Sequence, residues 1–327
     1  MCYGRGGTEP TVTDANLVLG RLNPQRFLGG ELALDEAGAK DAIEKIAGPL
    51  GYRGEGGLVQ MAEGILAVST VIMGGAIKQI SVEHGLDPRD FVLFCYGGGG
   101  PLHGSALARE LSIPTVVIPP EPGNFSAIGM LLADARIDSS KTFTGRLEEA
   151  SVDAVRALYA EMEAEAKQAL AAEFGAAEVF FEHHLEMRYV GQRHNIKTPI
   201  DSLEGLAAIR AAFDRDYKRR YGHADAKTPA EIQAVHLSAF ARLRRPDLAR
   251  LPRVAEKPLP TTTRKVYFGS AGGLVDATVY DRDSLQPGFR AKGPALIEEY
   301  GSTTLVWPQD AFEIGELREI RISVTGG

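Results

Sequence analysis

The chain has 327 residues, of which 44% are hydrophobic and 24% are charged, so it is long enough for two or three globular domains. Its formal net charge is -7, and its largest basic cluster is RLRR at residues 242–245, which argues against a nucleic-acid or anionic-membrane surface. With only two cysteines, Cys2 and Cys95, the chain cannot build a disulfide framework or a cysteine zinc site, and a reducing cytoplasm fits this composition.

The N-terminal stretch MCYGRGGTEPTVTD has no charged segment followed by an apolar one, so it is not a signal peptide. The most apolar window, residues 64–77, contains a Gly-Gly pair and is shorter than the roughly 20 residues of a membrane span. We therefore expect a buried core helix there and no membrane partner.

From residue 4 to about residue 138, helical and strand patterns alternate, as they do in α/β domains. Asp35 is expected to cap a helix over residues 36–46. A longer helix over about residues 60–84 is expected to end at Gly85.

The stretch FVLFCYGGGGPLHGSALARELSIPTVVI has the pattern of a β-α-β unit. Its continuous apolar run, residues 91–96, predicts a strand covered on both faces, and residues 115–118 predict a second buried strand. A helix over residues 101–111 connects them, so the strands should be parallel. Four glycines lie between the first strand and this helix, namely Gly97, Gly98, Gly99 and Gly100.

Beyond this unit the pattern changes. Ser151 is expected to cap a long helix, and after Gly175 the segments are strand-like, apart from one helix over residues 202–221. The predicted fold class is α/β followed by a mostly antiparallel, β-rich C-terminal domain. The predicted boundaries are 1–145 for the α/β part, 146–177 for a connecting helix and 178–327 for the β-rich domain.

Two interpretations of the four glycines stay open on the sequence alone. Small residues after a strand let a ligand approach the main chain, and the next helix offers unpaired N–H groups, which makes the run a nucleotide-binding candidate. A tight strand-to-helix turn would need glycine as well. His103, one turn into the helix, could reach a ligand or close the turn. Asp14 could take part in chemistry or cap a helix.

The remaining reactive side chains favour structural roles. His183 and His184 are adjacent on a predicted strand and point to opposite faces, so they cannot easily ligate one metal ion together, and no metal site is predicted from them or from His194. Cys2 is a possible nucleophile only if a neighbouring base or cation lowers its pKa, and Cys95 is expected to be buried in the first strand.

Several long motifs, in order, resemble one family. CYGRGGTEPTVTDANLVLGRL, DFVLFCYGGGGPLHG, LEMRYVGQRHNI and GPALIEEYGSTTLVWPQDAFEI are similar to the hydantoinase A/5-oxoprolinase family, which also includes subunits of acetone and acetophenone carboxylases. The resemblance implies part of an actin-like ATPase lobe, in which Gly97–Gly100 would pack against the adenosine of ATP. Tyr96 and Gly99 depart slightly from the family's usual Phe-Gly-Gly-Ala-Gly-Pro sequence.

The resemblance also implies what lies outside this sequence. Family members hold phosphates and Mg with two Gly-rich, acid-containing hairpins, which do not appear here, so the chain resembles the C-terminal half of a subunit. The implied partners are the missing N-terminal half, a hydantoinase B-type subunit or domain, and a small-molecule substrate. The implied activity is ATP-dependent ring-opening hydrolysis of a cyclic amide or imide. A ketone carboxylase subunit and a non-catalytic remnant stay open as alternatives.

Overall fold

The computed structural model describes residues 1–245, 261–269 and 272–325. Within them the helices are α1 (Val12–Val18), α2 (Glu36–Ala47), α3 (Gly54–Ser81), α4 (Gly100–Leu111), α5 (Phe125–Leu132), α6 (Val152–Phe174) and α7 (Leu206–Tyr221). The strands are β1 (Leu93–Phe94), β2 (Thr115–Ile118), β3 (Ala135–Arg146), β4 (Val179–Tyr189), β5 (Ile196–Pro199), β6 (Ala230–Ala241), β7 (Thr262–Tyr267), β8 (Leu274–Asp281), β9 (Arg290–Lys292), β10 (Ala295–Glu299), β11 (Ser302–Val306), β12 (Ala311–Ile314) and β13 (Ile320–Ser323).

The chain divides into two compact units, Met1–Gly129 together with Asp247–Gly327, and Met130–Pro246. The C-terminal strands belong to the first unit because β13 pairs with β2 in antiparallel register, Ile320 opposite Ile118. Periodicity along the chain cannot detect such a long-range pairing. The two units meet after residues 129 and 246 of the chain, whereas the predicted boundaries follow residues 145 and 177. Those domain boundaries stay a prediction.

Two sheets and the helices α1 to α4 build the first unit. One sheet has the strand order β1-β2-β13-β12-β9, in which β1 and β2 are parallel as predicted. The other has the order β11-β10-β8-β7 and is antiparallel except for the parallel pair β8 and β10. Apolar side chains such as Ile118, Ile297 and Ile322 form a core between elements from both ends of the sequence.

The second unit is an antiparallel sheet in the order β3-β6-β4-β5 with α6 and α7 packed against it. Met162 on α6, Leu185 on β4 and Phe213 on α7 are almost fully buried in one core. Ser151 caps α6 as predicted, because its side chain accepts a hydrogen bond from the N–H of Ala154. The predicted fold class, α/β followed by a mostly antiparallel β-rich part, is confirmed.

The predicted strand over residues 91–96 is wrong in length and in burial. Only Leu93 and Phe94 form β1, and Phe91, Val92 and Tyr96 are about half exposed. The reason is that β1 is the edge strand of its sheet, with β2 as its one neighbour among the described residues. A continuous apolar run is typical of an interior strand that is covered on both faces. In this structure the run lies at the edge of the sheet, and part of its apolar surface is exposed.

The prediction of a buried core helix over residues 64–77 is also wrong. This segment lies in α3, whose Met61 and Leu66 are buried, while Val68, Val71 and Ile72 on the other side are exposed. By length and composition alone, α3 is apolar enough to cross a membrane, but the mostly buried core helix of a soluble protein passes the same test. The described residues thus cover only one side of an apolar helix.

Candidate functional site

Gly97 is required by the backbone of the loop between β1 and α4. Its φ angle is +86°, in the region that favours glycine, and its N–H donates a hydrogen bond of 2.6 Å to the carbonyl oxygen of Pro122. The conformation of the turn is therefore enough to explain a glycine at position 97.

Gly98 is required by packing. A Cβ atom at Gly98 would lie 3.2 Å from the carbonyl oxygen of Gly301, in the turn between β10 and β11. The hydroxyl group of Ser302 also donates a hydrogen bond of 3.1 Å to the carbonyl oxygen of Gly98. The backbone of the loop and the backbone of this turn lie so close together that a side chain at Gly98 would require one of them to shift by a few tenths of an ångström.

Gly99 and Gly100 have no such requirement from the chain itself. Gly99 is the N-cap of α4 with a φ angle of -99°, and no atom lies within 4 Å of a Cβ placed there. A Cβ at Gly100 would meet its nearest neighbour, the backbone of Cys95, at an ordinary 3.9 Å. The open space at Gly99 lies at the amino end of a twelve-residue helix without a side-chain cap, where a ligand can reach main-chain N–H groups.

A cleft of about 240 Å³ lies near the glycine loop and is acidic. Asp281, Asp283 and Glu299 line it, together with Arg26 and Tyr300. A smaller pocket, lined by Gly98 and Tyr300 among others, adjoins the same residues. Carboxylates repel phosphates, so this cleft suits the uncharged part of a nucleotide better than its phosphates.

A buried ion pair shapes the wall of this cleft. Glu299 and Arg282 are both almost fully buried and lie 2.9 Å apart, and Arg282 also donates to the carbonyl oxygens of Ile118 and Arg318. Burial raises the pKa of Glu299 to about 7, against the opposing effect of Arg282. Burial lowers the pKa of Arg282.

Asp14 is fully buried and occupied by local hydrogen bonds. Thr11 is the N-cap of α1, and Asp14, at the third helical position, accepts from the Thr11 N–H at 2.8 Å and from the Thr11 hydroxyl group at 2.7 Å. It also accepts from the N–H of Cys2 at 2.7 Å. Burial alone would raise the pKa of Asp14, but the hydrogen bonds from Thr11 and Cys2 lower it. This geometry supports the structural alternative for Asp14, as the partner in a capping box rather than as the cap.

His103 does not face the acidic cleft. It lines a separate cavity of about 420 Å³ between α3 and α4, together with Arg21, Glu63 and Trp307. Burial lowers the pKa of His103, and the nearby charge of Arg21 lowers it further. The structure therefore separates His103 from the glycines with which the sequence grouped it. This cavity was missed because its residues are far apart in the chain, and the one signal for it was an arginine between apolar residues in VLGRL.

The other candidates have structural surroundings. His183 and Glu163 form a pair at 2.8 Å, and burial raises the pKa values of Cys2 and Cys95 to about 12, which keeps both thiols protonated at neutral pH. Among residues 1–245, 261–269 and 272–325 there is no group of three or more His, Cys, Asp or Glu side chains that could hold a metal ion.

Comparison with known proteins gives matches along most of the chain. Residues 1–139 match the family described as Hydantoinase/oxoprolinase, and residues 144–320 match the Hydantoinase/oxoprolinase C-terminal domain. The chain is 35% identical to the caprolactamase subunit alpha of Pseudomonas jessenii over 94% of its length. It is 31% identical over 96% of its length to the acetone carboxylase beta subunit of Xanthobacter autotrophicus.

Solved structures agree with these matches. The crystal structure of the ATP-dependent caprolactamase from Pseudomonas jessenii matches 99% of the chain with a TM-score of 0.78 and 31% identity, and a nucleotide-free acetone carboxylase matches 98% with a TM-score of 0.72 and 26% identity. The chain covers 48% and 47% of those two chains, and 45% and 46% of the two subunits compared by sequence. It therefore spans about half the length of the relatives that it matches.

Proposed function

Because the chain belongs to the hydantoinase/oxoprolinase family, we propose that it is the C-terminal portion of an ATP-dependent subunit that activates a cyclic amide or imide carbonyl for ring-opening hydrolysis. The observation that carries the proposal is the match, over nearly the whole chain, to a protein named an ATP-dependent caprolactamase. A cyclic amide resists hydrolysis because resonance weakens its carbonyl carbon as an electrophile. ATP, when bound, would supply phosphorylation of the carbonyl oxygen, which removes that resonance.

The role proposed for this chain's own residues is to hold the adenosine. Gly99 and Gly100 leave open space where the chain itself needs none, and the α4 amino end offers main-chain donors. The acidic side chains near the loop fit poorly with phosphates, so we place the phosphates and Mg against residues outside this sequence. The proposed holder of those groups is the missing N-terminal half of the subunit.

We propose that this half also covers the apolar surface described above. The exposed sides of α3 and β1 are apolar, and none of the eight residues of α5, sequence FSAIGMLL, is buried. Contiguous exposed apolar surface is typical of an interface. The caprolactamase and acetone carboxylase relatives are subunits of larger enzymes, so we include a second partner, of the hydantoinase B type, in the proposal.

Two alternative functions make different predictions from the proposed one. The match to the acetone carboxylase beta subunit favours an ATP-dependent ketone carboxylase, with nearly the same coverage. A non-catalytic assembly module would keep the interface and lose the need for open space at Gly99. The three functions can therefore be distinguished by the substrate that stimulates ATP hydrolysis and by the effect of a Gly99 substitution on ATP binding.

The test uses this chain assembled with the N-terminal half of a family subunit and a hydantoinase B-type subunit. Hydantoin, 5-oxoproline and ε-caprolactam are compared with acetone plus bicarbonate as stimulators of ATP hydrolysis. We expect stimulation by a cyclic amide, and none when the 327-residue chain is assayed alone. If only acetone plus bicarbonate stimulates ATP hydrolysis, the carboxylase function is favoured. If neither the cyclic amides nor acetone plus bicarbonate stimulates it, both enzymatic functions are overturned.

The nucleotide role of the loop is tested in the same assembly. Gly99→Val places a branched side chain in the open space, and we expect the Kd for ATP to rise at least about tenfold. Gly145→Val is the matched control, because Gly145 lies in β3, away from α3, also has no atom within 4 Å of its Cβ position and has no positive φ angle. Equal ATP affinities of the two folded variants would favour the interpretation of Gly99 as part of a strand-to-helix turn with no role in nucleotide binding.

A further inference from the structure

The cavity between α3 and α4 lies apart from the glycine loop and has a mixed lining. Its volume is about 420 Å³, and its apolar wall includes Leu66, Leu102 and Trp307. Arg21, Glu63 and His103 bring polar groups to the same space. A concave site with an apolar wall and a few convergent polar groups is typical of small-molecule binding.

Arg21 is buried with most of its donors unused. It is 5% exposed, and the one hydrogen bond that its side chain makes to a described residue runs from Nη2 to the carbonyl oxygen of Tyr267 at 3.3 Å. Within the described part of the chain, the buried Nε has no acceptor. Burial lowers the pKa of Arg21 to about 10, which still leaves it charged at neutral pH. A buried cation with free donors is costly unless an acceptor reaches it.

Glu63 and His103 are likewise without hydrogen-bond partners among residues that the structure describes. Gly269, with a φ angle of +61°, makes room for the Glu63 carboxylate, since a Cβ there would lie 1.7 Å from Oε1. Arg21 and Glu63 attract each other without forming an ion pair within 4 Å. A donor group and an acceptor group therefore line the same cavity, and neither is paired with the other within 4 Å.

The remaining charges around the cavity are paired. Arg109 forms an ion pair with Asp310, and Glu110 forms one with Lys78 at 3.3 Å. Arg21 and Glu63 balance each other, so the formal charges of these groups sum to zero. An uncharged ligand with one acceptor and one donor suits this lining better than an anion or a cation does.

We propose that this cavity binds the amide group of a neutral cyclic amide, whose carbonyl oxygen accepts a hydrogen bond from Arg21 and whose N–H donates one to Glu63. The identity of the ligand as substrate rests on the proposed function; its fit to the cavity rests on the charges and donors above. The ring would lie against the apolar wall formed by Leu66, Leu102 and Trp307. An amide satisfies both polar groups at once, which a ketone or a carboxylate does not.

Trp307 lines this cavity and is the one tryptophan of the sequence, so its indole N–H resonance is assigned without ambiguity. The full 327-residue chain, labelled with ¹⁵N, is titrated with ε-caprolactam in the absence of ATP. We expect a saturable shift of the indole resonance, and binding at least about tenfold weaker for N-methylcaprolactam and cycloheptanone, which lack the N–H donor. An unmoved resonance, equal binding of these analogues, or tighter binding of hexanoate would overturn the proposal.

A variant tests the role of the carboxylate. Glu63→Gln replaces the charged acceptor with a weaker neutral one, so it should weaken ε-caprolactam binding at least about tenfold and leave N-methylcaprolactam binding unchanged, because only the former has an N–H to donate. Glu55→Gln, at the exposed first turn of α3, is the matched control and should bind like the unaltered chain. If Glu63→Gln binds ε-caprolactam normally, the assignment of Glu63 is wrong.

This experiment separates the cavity from the reaction. Lactam-stimulated ATP hydrolysis by the assembled enzyme, without any shift of the Trp307 resonance in that assembly, would reject this cavity and keep the proposed function. A saturable shift without ATP hydrolysis would keep the cavity and reject the function.

Discussion

The hydroxyl group of Ser302 donates a hydrogen bond to the carbonyl oxygen of Gly98 at 3.1 Å. This contact joins the loop after β1 to the turn between β10 and β11, about two hundred positions later in the chain. The same turn places the carbonyl oxygen of Gly301 against Gly98. The four glycines thus have different structural roles, and stability measurements on variants can distinguish these roles.

Gly98→Ala should destabilise the fold, whereas Gly99→Ala should not. The new Cβ at Gly98 would sit 3.2 Å from the Gly301 carbonyl oxygen, and overpacking of this kind costs about 1–3 kcal/mol. At Gly99 the space is open and φ is negative, so the change should stay within about 0.5 kcal/mol. Urea unfolding of both variants measures the difference. Equal free energies of unfolding would contradict the close approach.

Glu299 should make stability depend on pH. Its folded-state pKa of about 7 lies above its ordinary value of 4.5, because burial, together with Glu121 and Asp283, outweighs the effect of Arg282. A carboxyl group whose pKa is raised by folding stabilises the fold at low pH, and this stabilisation is lost as pH rises from about 4.5 to about 7. The change is a few kcal/mol, at about 1.4 kcal/mol for each unit of pKa.

Glu299→Gln removes this titration, so the variant should lose less stability than the unaltered chain between pH 5 and pH 7. Urea unfolding at a series of pH values measures both curves. Glu316→Gln, a change to a carboxyl group in a loop, is the control and should keep the slope of the unaltered chain. Parallel curves for all three proteins would show that Glu299 ionises normally inside the fold.

The sequence predicted local elements well and their surroundings poorly. The helix of the β-α-β unit, expected over 101–111, begins one residue earlier in the structure, and the predicted strand 115–118 coincides with β2. Capping and periodicity are properties of neighbouring residues, so they can be read from the chain. The strand β3 was missed although its burial alternates, because only one of its sides is partly covered and its sequence is rich in polar residues.

The candidate site shows the same division. The order of the residues was enough to place the four glycines between a strand and a helix. The close approach of the Gly98 and Gly301 backbones, which distinguishes Gly98 from Gly99, is visible only in the structure. Arg21, Glu63 and Trp307 come from three distant segments and have no shared motif. Burial of α3 was expected from its apolar sequence, but burial depends on what covers a helix, and the described residues cover only one side of it.

Residues 130–245 should fold as a separate protein. The core around Met162 and Phe213 is built entirely from residues of this segment, and the sheet β3-β6-β4-β5 is complete within it. We expect the expressed segment to unfold cooperatively in urea, and Phe213→Ala to reduce its stability by about 3–5 kcal/mol. A fragment that begins at residue 178 lacks β3 and α6 and should be far less stable. Comparable stability of the two fragments would favour the boundary predicted from the sequence.

The exposed side of α3 should be the binding surface for the N-terminal half of the subunit. Ile72 is 67% exposed at the centre of this side, next to Val71 at 59%, and a lysine there would place a charge in an apolar interface. We expect Ile72→Lys to weaken binding of the separately expressed N-terminal half at least about tenfold and to leave the fold of this chain intact. Gln168→Lys adds the same charge at an exposed polar position of another helix, α6, and should bind normally. Calorimetric titration measures both affinities, and equal affinities would place the interface elsewhere on the chain.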